Sequence, residues 1–144
     1  MTEINLNTYI IDILEKVKTV AVVGASSKED RDSYKVMKSL IENGYDVIPI
    51  NPNETGKIIL GRACLSSLQE IKYRVDMVDI FRAHDAILGI TKESIKIGAK
   101  VLWMQEGIIH NEASELAKNA GLKVVMNRCP KKELLKPYWT TKRK

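Results

Sequence analysis

The sequence predicts an α/β fold, a single doubly wound (Rossmann-like) domain with a five-stranded, mostly parallel sheet. Five apolar segments rich in Val and Ile alternate with amphipathic segments, and near-continuous apolar runs are typical of parallel strands covered on both faces. Three of the four predicted helices end at a glycine just before a strand, which is a common helix stop. Because the connections between neighbouring parallel strands are short and right-handed, few other topologies remain.

The five predicted strands are the five apolar segments. They are Thr19–Val23, Tyr45–Ile50, Val75–Phe81, Lys100–Met104 and Leu122–Met126. The first is a short run of Thr, Val and Ala that ends at Gly24. The segment 51–71 has the weakest pattern, and we expect it to hold a loop, a short strand near Arg62 and one helical turn.

Helical spacing predicts four helices. The first is an amphipathic helix at residues 1–17, with apolar residues at helical spacing from Leu6 to Val17. The others begin near Ser33, Asp85 and Asn111, and Asn is a residue type favoured at the N-cap. We therefore divide the chain into this helix, a ligand-binding Rossmann-like domain at 18–136 and a basic C-terminal tail at 137–144.

The net charge of +5 is concentrated near the C-terminus. From Lys123 to Lys144 there are eight Lys or Arg residues and one acid, so the rest of the chain is slightly acidic. This distribution argues against a nucleic-acid partner. A solvated tail is the simpler interpretation, and attraction of an anionic ligand is the alternative.

The sequence predicts a cytoplasmic protein. It has no run of 18 apolar residues, which a membrane span would need. Its first residues lack the basic region of a signal peptide. Cys64 and Cys129 are too few for a disulfide framework and too far apart in sequence for a redox or zinc motif.

The loop after the first predicted strand indicates a phosphorylated nucleotide ligand. In open α/β sheets, ligands bind beyond the carboxyl ends of the strands. Gly24 permits a tight turn, while Ala25 and Ser26 are small enough for a phosphate to approach the backbone beside the positive end of the next helix. Further donors for phosphate follow at Ser27, Lys28 and Arg31. The alternative is that Gly24 serves the turn alone.

The same region argues against NAD and against a P-loop. In the G-x-G-x-x-G fingerprint, Ser26 stands at the second glycine and Glu29 at the third. The second strand ends in Ile50-Asn51-Pro52-Asn53, without the acid that holds the ribose of NAD. A G-x-x-x-x-G-K-[ST] sequence does not occur. The remaining class is a nucleotide with a phosphorylated ribose and a long arm that is not nicotinamide.

A series of short motifs in chain order is specific to one family. They are Val23-Gly24-Ala25-Ser26, Arg31 with Ser33-Tyr34, Gly44-Tyr45, Pro49-Ile50-Asn51-Pro52, Leu60-Gly61, Val78-Asp79-Ile80-Phe81, Gly98-Ala99-Lys100-Val101, Trp103-Met104-Gln105 with Gly107, and Asn127-Arg128-Cys129. From Val20 to about Glu133 the chain therefore resembles the small stand-alone CoA-binding proteins. These are Rossmann-type domains similar to the CoA-binding domain of the succinyl-CoA synthetase α subunit.

The resemblance implies that the ligand is coenzyme A or an acyl-CoA. It implies that the pyrophosphate lies at the Gly24 loop and the adenosine at Asn51 and Pro52. Phe81 and its following loop are then expected across the crevice, and the pocket is expected to continue at Trp103 and Gln105. The residues expected to bind the cofactor are Gly24, Ala25, Ser26, Ser27, Arg31, Ser33, Tyr34, Asn51, Pro52, Phe81, Arg82, Trp103 and Gln105. Two departures concern the adenosine side. Relatives often carry Lys or Arg at the position of Asn53, which Lys57 is expected to replace, and often carry Pro at Ala83 or His84.

No catalytic set and no metal cluster are evident in the sequence. His84 and His110 each stand at a predicted helix start, where a polar residue is common. Asp76 and Asp79 have odd spacing on one predicted strand, so they are expected on opposite faces and cannot pair as acid and base.

Cys129 is the one candidate catalytic residue. It stands after the last predicted strand beside Arg128, and a cationic neighbour favours the reactive thiolate; a packed, inert thiol is the alternative. Three functions stay open: a CoA-binding module, a thiol–disulfide or acyl-transfer enzyme that uses Cys129, and a nucleotide-binding regulator that acts through a protein partner. The acyl group, the biological process and an oligomeric state are also open.

Overall fold

A parallel sheet forms the centre of the protein. The computed structural model describes residues 2–142. Its strands are β1 (Thr19–Val23), β2 (Asp46–Ile50), β3 (Ile58–Ile59), β4 (Arg62–Ala63), β5 (Met77–Ile80), β6 (Val101–Met104) and β7 (Lys123–Val125). Five of these strands pair in parallel in the order β2-β1-β5-β6-β7, and β3 and β4 form a small antiparallel hairpin.

Helices cover both faces of the sheet. They are α1 (Glu3–Lys16), α2 (Asp32–Glu42), α3 (Ile87–Lys96), α4 (Asn111–Asn119), α5 (Pro130–Glu133) and α6 (Pro137–Lys142). Buried residues of α1 and α2 pack on one face with Val20 and Val22 of β1, and those of α3 and α4 pack on the other face with Ala21 and Val23. The predicted fold class is confirmed, and the whole five-stranded sheet is parallel.

The segment 51–71 contains more structure than its sequence predicts. It holds the β3–β4 hairpin and two 3₁₀ turns, Pro52–Glu54 and Leu68–Glu70, where one strand and one turn are expected. The hairpin reverses at Leu60 and Gly61, both with positive φ. The pattern is weak because each strand has only two residues.

His110, not Asn111, is the N-cap of α4. Its Nδ1 accepts a hydrogen bond from the backbone N–H of Ala113 at 3.1 Å, so an imidazole nitrogen takes the place of the side-chain oxygen that caps most helices. The His110 ring also stacks on His84, which begins the 3₁₀ turn His84–Ala86, with ring centres 4.3 Å apart.

Part of the segment predicted as a solvated tail is folded. Residues 137–142 form α6, whose Trp139 packs against the same core as α1, and Lys142 Nζ lies 3.7 Å from a carboxylate oxygen of Glu15. The charge count misses this because the packing depends on one aromatic residue. Residues 143–144 of the tail and Met1 of the first segment lie outside the described residues. Within residues 2–142, every helix is too short or too polar to cross a bilayer.

Gly24 lets the ends of three strands meet. Its φ is +93°, and a Cβ there would overlap the carbonyl oxygen of Phe81 and lie 2.9 Å from the carbonyl carbon. The backbone N–H groups of Gly24 and Ala25 both donate to the carbonyl of Ile50, at 2.9 and 3.2 Å. The turn after β1 is therefore clamped between the ends of β2 and β5, and only glycine fits there.

Asp76 and Asp79 have different structural roles. Asp76 precedes β5, and its Oδ2 accepts hydrogen bonds from the backbone N–H groups of Lys18 and Thr19 at 2.9 and 3.1 Å. Asp79 lies within β5 and is fully buried, and neither carboxyl oxygen has a hydrogen-bond partner among residues 2–142. Burial raises the pKa of Asp79 well above its usual range, so the native state holds this carboxyl in its neutral form.

We expect Gly24→Ala to destabilise the fold more than Gly98→Ala. Both glycines have positive φ, but the space beyond Gly98 is open. Gly98→Ala should cost about 1–2 kcal/mol for the backbone conformation alone, and the overlap with Phe81 should add about 1–3 kcal/mol for Gly24→Ala. Urea unfolding of the two variants measures the difference, and equal losses would contradict the close-approach explanation.

Asp79→Leu should stabilise the protein, and Asp76→Leu should destabilise it. Leu branches at the same atom as Asp and removes the unpaired oxygens at Asp79, whereas at Asp76 it leaves two N–H groups without an acceptor. Because the pKa of Asp79 is raised on folding, the native wild type binds more protons than the unfolded chain above the usual Asp range. The free energy of unfolding of the wild type therefore falls as the pH rises through that window.

The advantage of Asp79→Leu over the wild type should consequently be larger at pH 8 than at pH 5. Urea unfolding at both values measures it. An advantage that shrinks as the pH rises would mean that Asp79 is charged in the native state.

Candidate functional site

Two adjoining cavities lie at the carboxyl edge of the sheet. The chain runs outward from β1 to β2 and then crosses to β5 on the other side of β1, so the order of strands reverses between β1 and β5. This switch point is where open α/β sheets bind ligands. The loop cavity, of about 410 Å³, lies over the turn after β1, and the edge cavity, of about 610 Å³, lies over the ends of β5 and β6.

The loop cavity receives the N-terminus of α2. The N-cap residue, Arg31, makes no capping hydrogen bond with its side chain, and the backbone N–H groups of Asp32, Ser33 and Tyr34 have no acceptor within residues 2–142. The guanidinium of Arg31 and the ammonium of Lys28 have no carboxylate partner in that part of the chain either. Free N–H groups, the helix dipole and two cations together form an anion-binding arrangement.

Ser27 supports the loop and does not line the cavity. Its backbone N–H and its Oγ both donate to the Glu54 carboxylate, at 3.4 and 3.1 Å, and Lys57 Nζ lies 2.8 Å from the same group. The hydrogen bond from Lys57, followed by the one from the Ser27 backbone, lowers the pKa of Glu54. Ser27 and Lys57, both expected to contact the ligand, are thus both bonded to Glu54 in this structure.

Asn51 fixes the other side of the loop. Its Nδ2 donates to the carbonyl of Ala25 at 2.8 Å, and its Oδ1 accepts from the backbone N–H of Asn53 at 2.9 Å. Pro52 is exposed at the start of the 3₁₀ turn and lines neither cavity. The Asn51 amide is thus hydrogen-bonded to the backbone, and Asn51 also lines the loop cavity.

The edge cavity combines apolar walls with cations. Its apolar lining comes from Val36, Phe81, Ile108 and Leu135, and its cations are Lys35, Arg82, Lys131 and Lys132. Lys132 Nζ lies 2.8 Å from Glu106, and the hydrogen bond between them raises the pKa of Lys132. Cys129 and Gln105 also line this cavity, and both are 6% exposed. The two cavities adjoin at Phe81 and Asp32, which line both.

Most of the predicted site residues meet at these cavities. The loop cavity brings together Gly24, Ala25, Ser26, Arg31, Ser33, Asn51 and Phe81, and the edge cavity brings together Phe81, Arg82, Gln105 and Cys129. Four predicted residues lie outside both cavities: Ser27, Tyr34, Pro52 and Trp103. The space that a Cβ of Gly24 would need is occupied by the backbone of Phe81.

Trp103 and Tyr34 support the site from behind. Trp103 is completely buried, and its Nε1 donates to the carbonyl of Arg128 at 2.8 Å, which holds the loop before Cys129. Tyr34 packs against the core and borders a separate groove beside α2. Neither side chain is open to a ligand in the two cavities, because each lies on the core side of its element.

Several cavity residues are absent from the predicted set. They are Lys28, Asp32, Lys35, Val36, Glu54, Glu106, Ile108, Lys131, Lys132 and Leu135. Lys28 is recognisable as a phosphate donor from its place in the loop. Lys35 follows Arg31 by four residues, so both lie on one face of α2. Lys131 and Lys132 fall within the basic C-terminal region, whose charge alone does not reveal the cavity. Among residues 2–142, no three His, Cys, Asp or Glu side chains form a group that could hold a metal ion.

Comparison with known proteins identifies the family of this chain. Residues 18–134 match the family described as CoA binding domain. The uncharacterized protein YneT of Bacillus subtilis (strain 168) is 38% identical over 122 residues, which cover 85% of this chain and 89% of YneT. A solved structure of a hypothetical protein from Pyrococcus horikoshii OT3 has 42% identity and a TM-score of 0.83, with 89% of each chain covered.

An enzyme subunit contains a similar domain. The α subunit of acetate–CoA ligase [ADP-forming] I from Pyrococcus furiosus is 34% identical over 96 residues, which cover 64% of this chain. The match spans only 21% of that subunit. The chain belongs to the CoA-binding domain family and is homologous to the CoA-binding domain of the ADP-forming acetate–CoA ligases.

Proposed function

We propose that this protein binds coenzyme A or an acyl-CoA across the two cavities at the carboxyl edge of the sheet. The observation that carries the proposal is the uncapped N-terminus of α2, where Asp32 and Ser33, whose backbone N–H groups have no acceptor within residues 2–142, line one cavity together with Lys28 and Arg31, which have no carboxylate partner in that part of the chain. Membership of the CoA-binding domain family supports the choice of ligand.

The diphosphate of the ligand belongs in the loop cavity. The N–H groups of Gly24 and Ala25 are already bonded to Ile50, and the first turn of α2, with Arg31 beside it, offers donors for phosphate in their place. Hydrogen bonds from charged donors to phosphate are among the strongest in proteins. The Gly24-Ala25-Ser26 turn then acts as the floor of the site, and its small side chains leave room for the phosphates.

The arm of the ligand belongs in the edge cavity. A pantetheine arm alternates amide groups with apolar carbon chain, and the cavity alternates apolar walls with polar groups such as Gln105. The cations Lys35, Arg82 and Lys131 lie along the path and add to the attraction of a highly charged anionic ligand. The adenosine end then lies near Asn51 and Pro52, on the side of the loop away from the edge cavity.

NAD fits this arrangement poorly. The ribose of NAD is held by an acid at the end of the second strand, and here that position is occupied by Asn51, whose amide is bonded to the backbone. Glu54, three residues further on, is engaged by Ser27 and Lys57.

CoA should raise the melting temperature of the protein, and NAD at the same concentration should have a much smaller effect. A ligand that binds only the native state adds about 2.7 kcal/mol at a hundredfold excess over its dissociation constant. Differential scanning fluorimetry measures both shifts, and native mass spectrometry checks for retained CoA. An equal or larger shift with NAD would contradict the proposal.

Arg31→Ala should weaken CoA binding by about 1.5–3 kcal/mol, the usual value of a hydrogen bond to a charged group. Lys92→Ala is a matched control, because Lys92 is an exposed cation on α3 that lines neither cavity. Isothermal titration calorimetry measures both. If the two substitutions have the same effect, Arg31 contributes only to the general charge and does not contact the phosphate.

A further inference from the structure

The edge cavity contains a thiol together with a buried amide that lacks a partner. Cys129 and Gln105 line the same cavity. Gln105 is 6% exposed, and its Oε1 has no hydrogen-bond partner within residues 2–142. An unpaired buried polar atom costs about 1–3 kcal/mol. This cost is offset when a ligand supplies the missing partner, so Gln105 is independent support for a ligand at the place where Cys129 lies.

The arm of CoA can supply the missing hydrogen-bond partner of Gln105. The last torsion of a Gln side chain is broad, so a turn of the amide presents either its oxygen or its nitrogen to the cavity, and the amide groups of a pantetheine arm can pair with both. Because Phe81 and Asp32 line both cavities, the edge cavity is the neighbouring space for an arm that leaves a diphosphate at α2. Its terminal thiol is thereby directed towards Cys129. This step rests on the proposed function.

The two cysteines have different surroundings. Cys129 lines the edge cavity, as do Lys131 and Lys132, which follow it closely in the chain; the thiolate is the form of a cysteine that attacks a disulfide. Cys64 is 1% exposed and lines neither cavity, and its Sγ lies 3.7 and 3.6 Å from the carbonyls of Asn51 and Leu65. Burial raises the pKa of the Cys64 thiol.

We propose that Cys129 exchanges with the disulfide form of coenzyme A and retains it as a mixed disulfide. The Cys129 thiolate attacks one sulfur of CoA disulfide, the S–S bond of CoA disulfide breaks, and a new S–S bond joins Cys129 to one CoA. The second CoA leaves as a thiolate and takes up the proton that Cys129 lost. CoA disulfide is the oxidant, so Cys129 and the retained CoA end as a disulfide while the released CoA is reduced. The protein thereby retains one CoA in oxidised form, as a mixed disulfide, at this cavity.

Intact-mass spectrometry of the full chain treated with CoA disulfide tests this directly. We expect one CoA per chain, released by a reductant, and peptide mapping of the wild-type adduct should place it at Cys129. Cys129→Ser should remain unmodified, and Cys64→Ser should be modified like the wild type. Glutathione disulfide is also anionic but lacks the nucleotide, and it should react about tenfold or more slowly, because it is not held beside the thiol. Modification of Cys64 to the same extent, or an equal rate with glutathione disulfide, would overturn the proposal.

A binding measurement separates failure of this proposal from failure of the proposed function. Calorimetry with reduced CoA should show binding to both the wild type and Cys129→Ser. No binding to the wild type would overturn the proposed function and this proposal with it. Binding without any adduct at Cys129 would overturn this proposal alone.

Gln105→Met tests the path of the arm without changing the thiol. Met has a similar length but no amide, so CoA should bind about fivefold more weakly, as for one lost hydrogen bond. Adenosine 3′,5′-bisphosphate lacks the arm, and its affinity should not change. The rate of adduct formation at Cys129 should fall with CoA affinity. An equal loss for both ligands, or an unchanged rate, would contradict an arm in the edge cavity.

Discussion

The candidate site depends on the contact between the turn at Gly24 and the backbone of Phe81. The missing Cβ of Gly24 lets the end of β1 lie directly against the end of β5, while Ile50 of β2 accepts two hydrogen bonds from the same turn. Three strand ends are thus joined at the point where the strand order reverses. The start of α2, the Phe81–Arg82 loop and the 3₁₀ turn after β2 follow these ends, so their positions are fixed by the same contact.

This constraint also determines which donors remain for an anion. The first two N–H groups of the turn are used within the protein, and the loop is tied to Glu54 through Ser27. The first turn of α2 has no acceptor for its N–H groups within residues 2–142, and Arg31, which takes the cap position, has no side-chain oxygen to serve as one. A helix start of this kind is stable in water, yet it gains more from a bound phosphate. The stability of the loop and the proposed affinity for phosphate therefore come from separate groups.

The sequence predicts the fold well because the sheet is buried on both faces. The central strands are apolar runs apart from Asp79 in β5, and the glycines that end the helices stand beside them. The loop after β1 can also be recognised from the sequence, because Gly24, Ser26 and Arg31 are close together in the chain. The burial of Trp103 could not be predicted, because proximity to a strand end does not reveal which way a side chain points; Gln105, two positions later, lines the edge cavity. The engagement of Ser27 and Lys57 by Glu54 could not be predicted, because it depends on how the loop after β2 folds back. The folded segment at 137–142 could not be predicted from its charges, because its packing depends on the single aromatic side chain of Trp139.

Titration of the backbone amides with CoA, followed by nuclear magnetic resonance, tests the central claim most directly. The account predicts that the largest shifts occur at the amides of Asp32, Ser33 and Tyr34, which are free to donate. The amides of Gly24 and Ala25 should shift less and keep their protection from hydrogen exchange, because they stay bonded to Ile50. Binding that leaves the first turn of α2 unchanged, or that shifts mainly residues at the opposite edge of the sheet, would contradict the account.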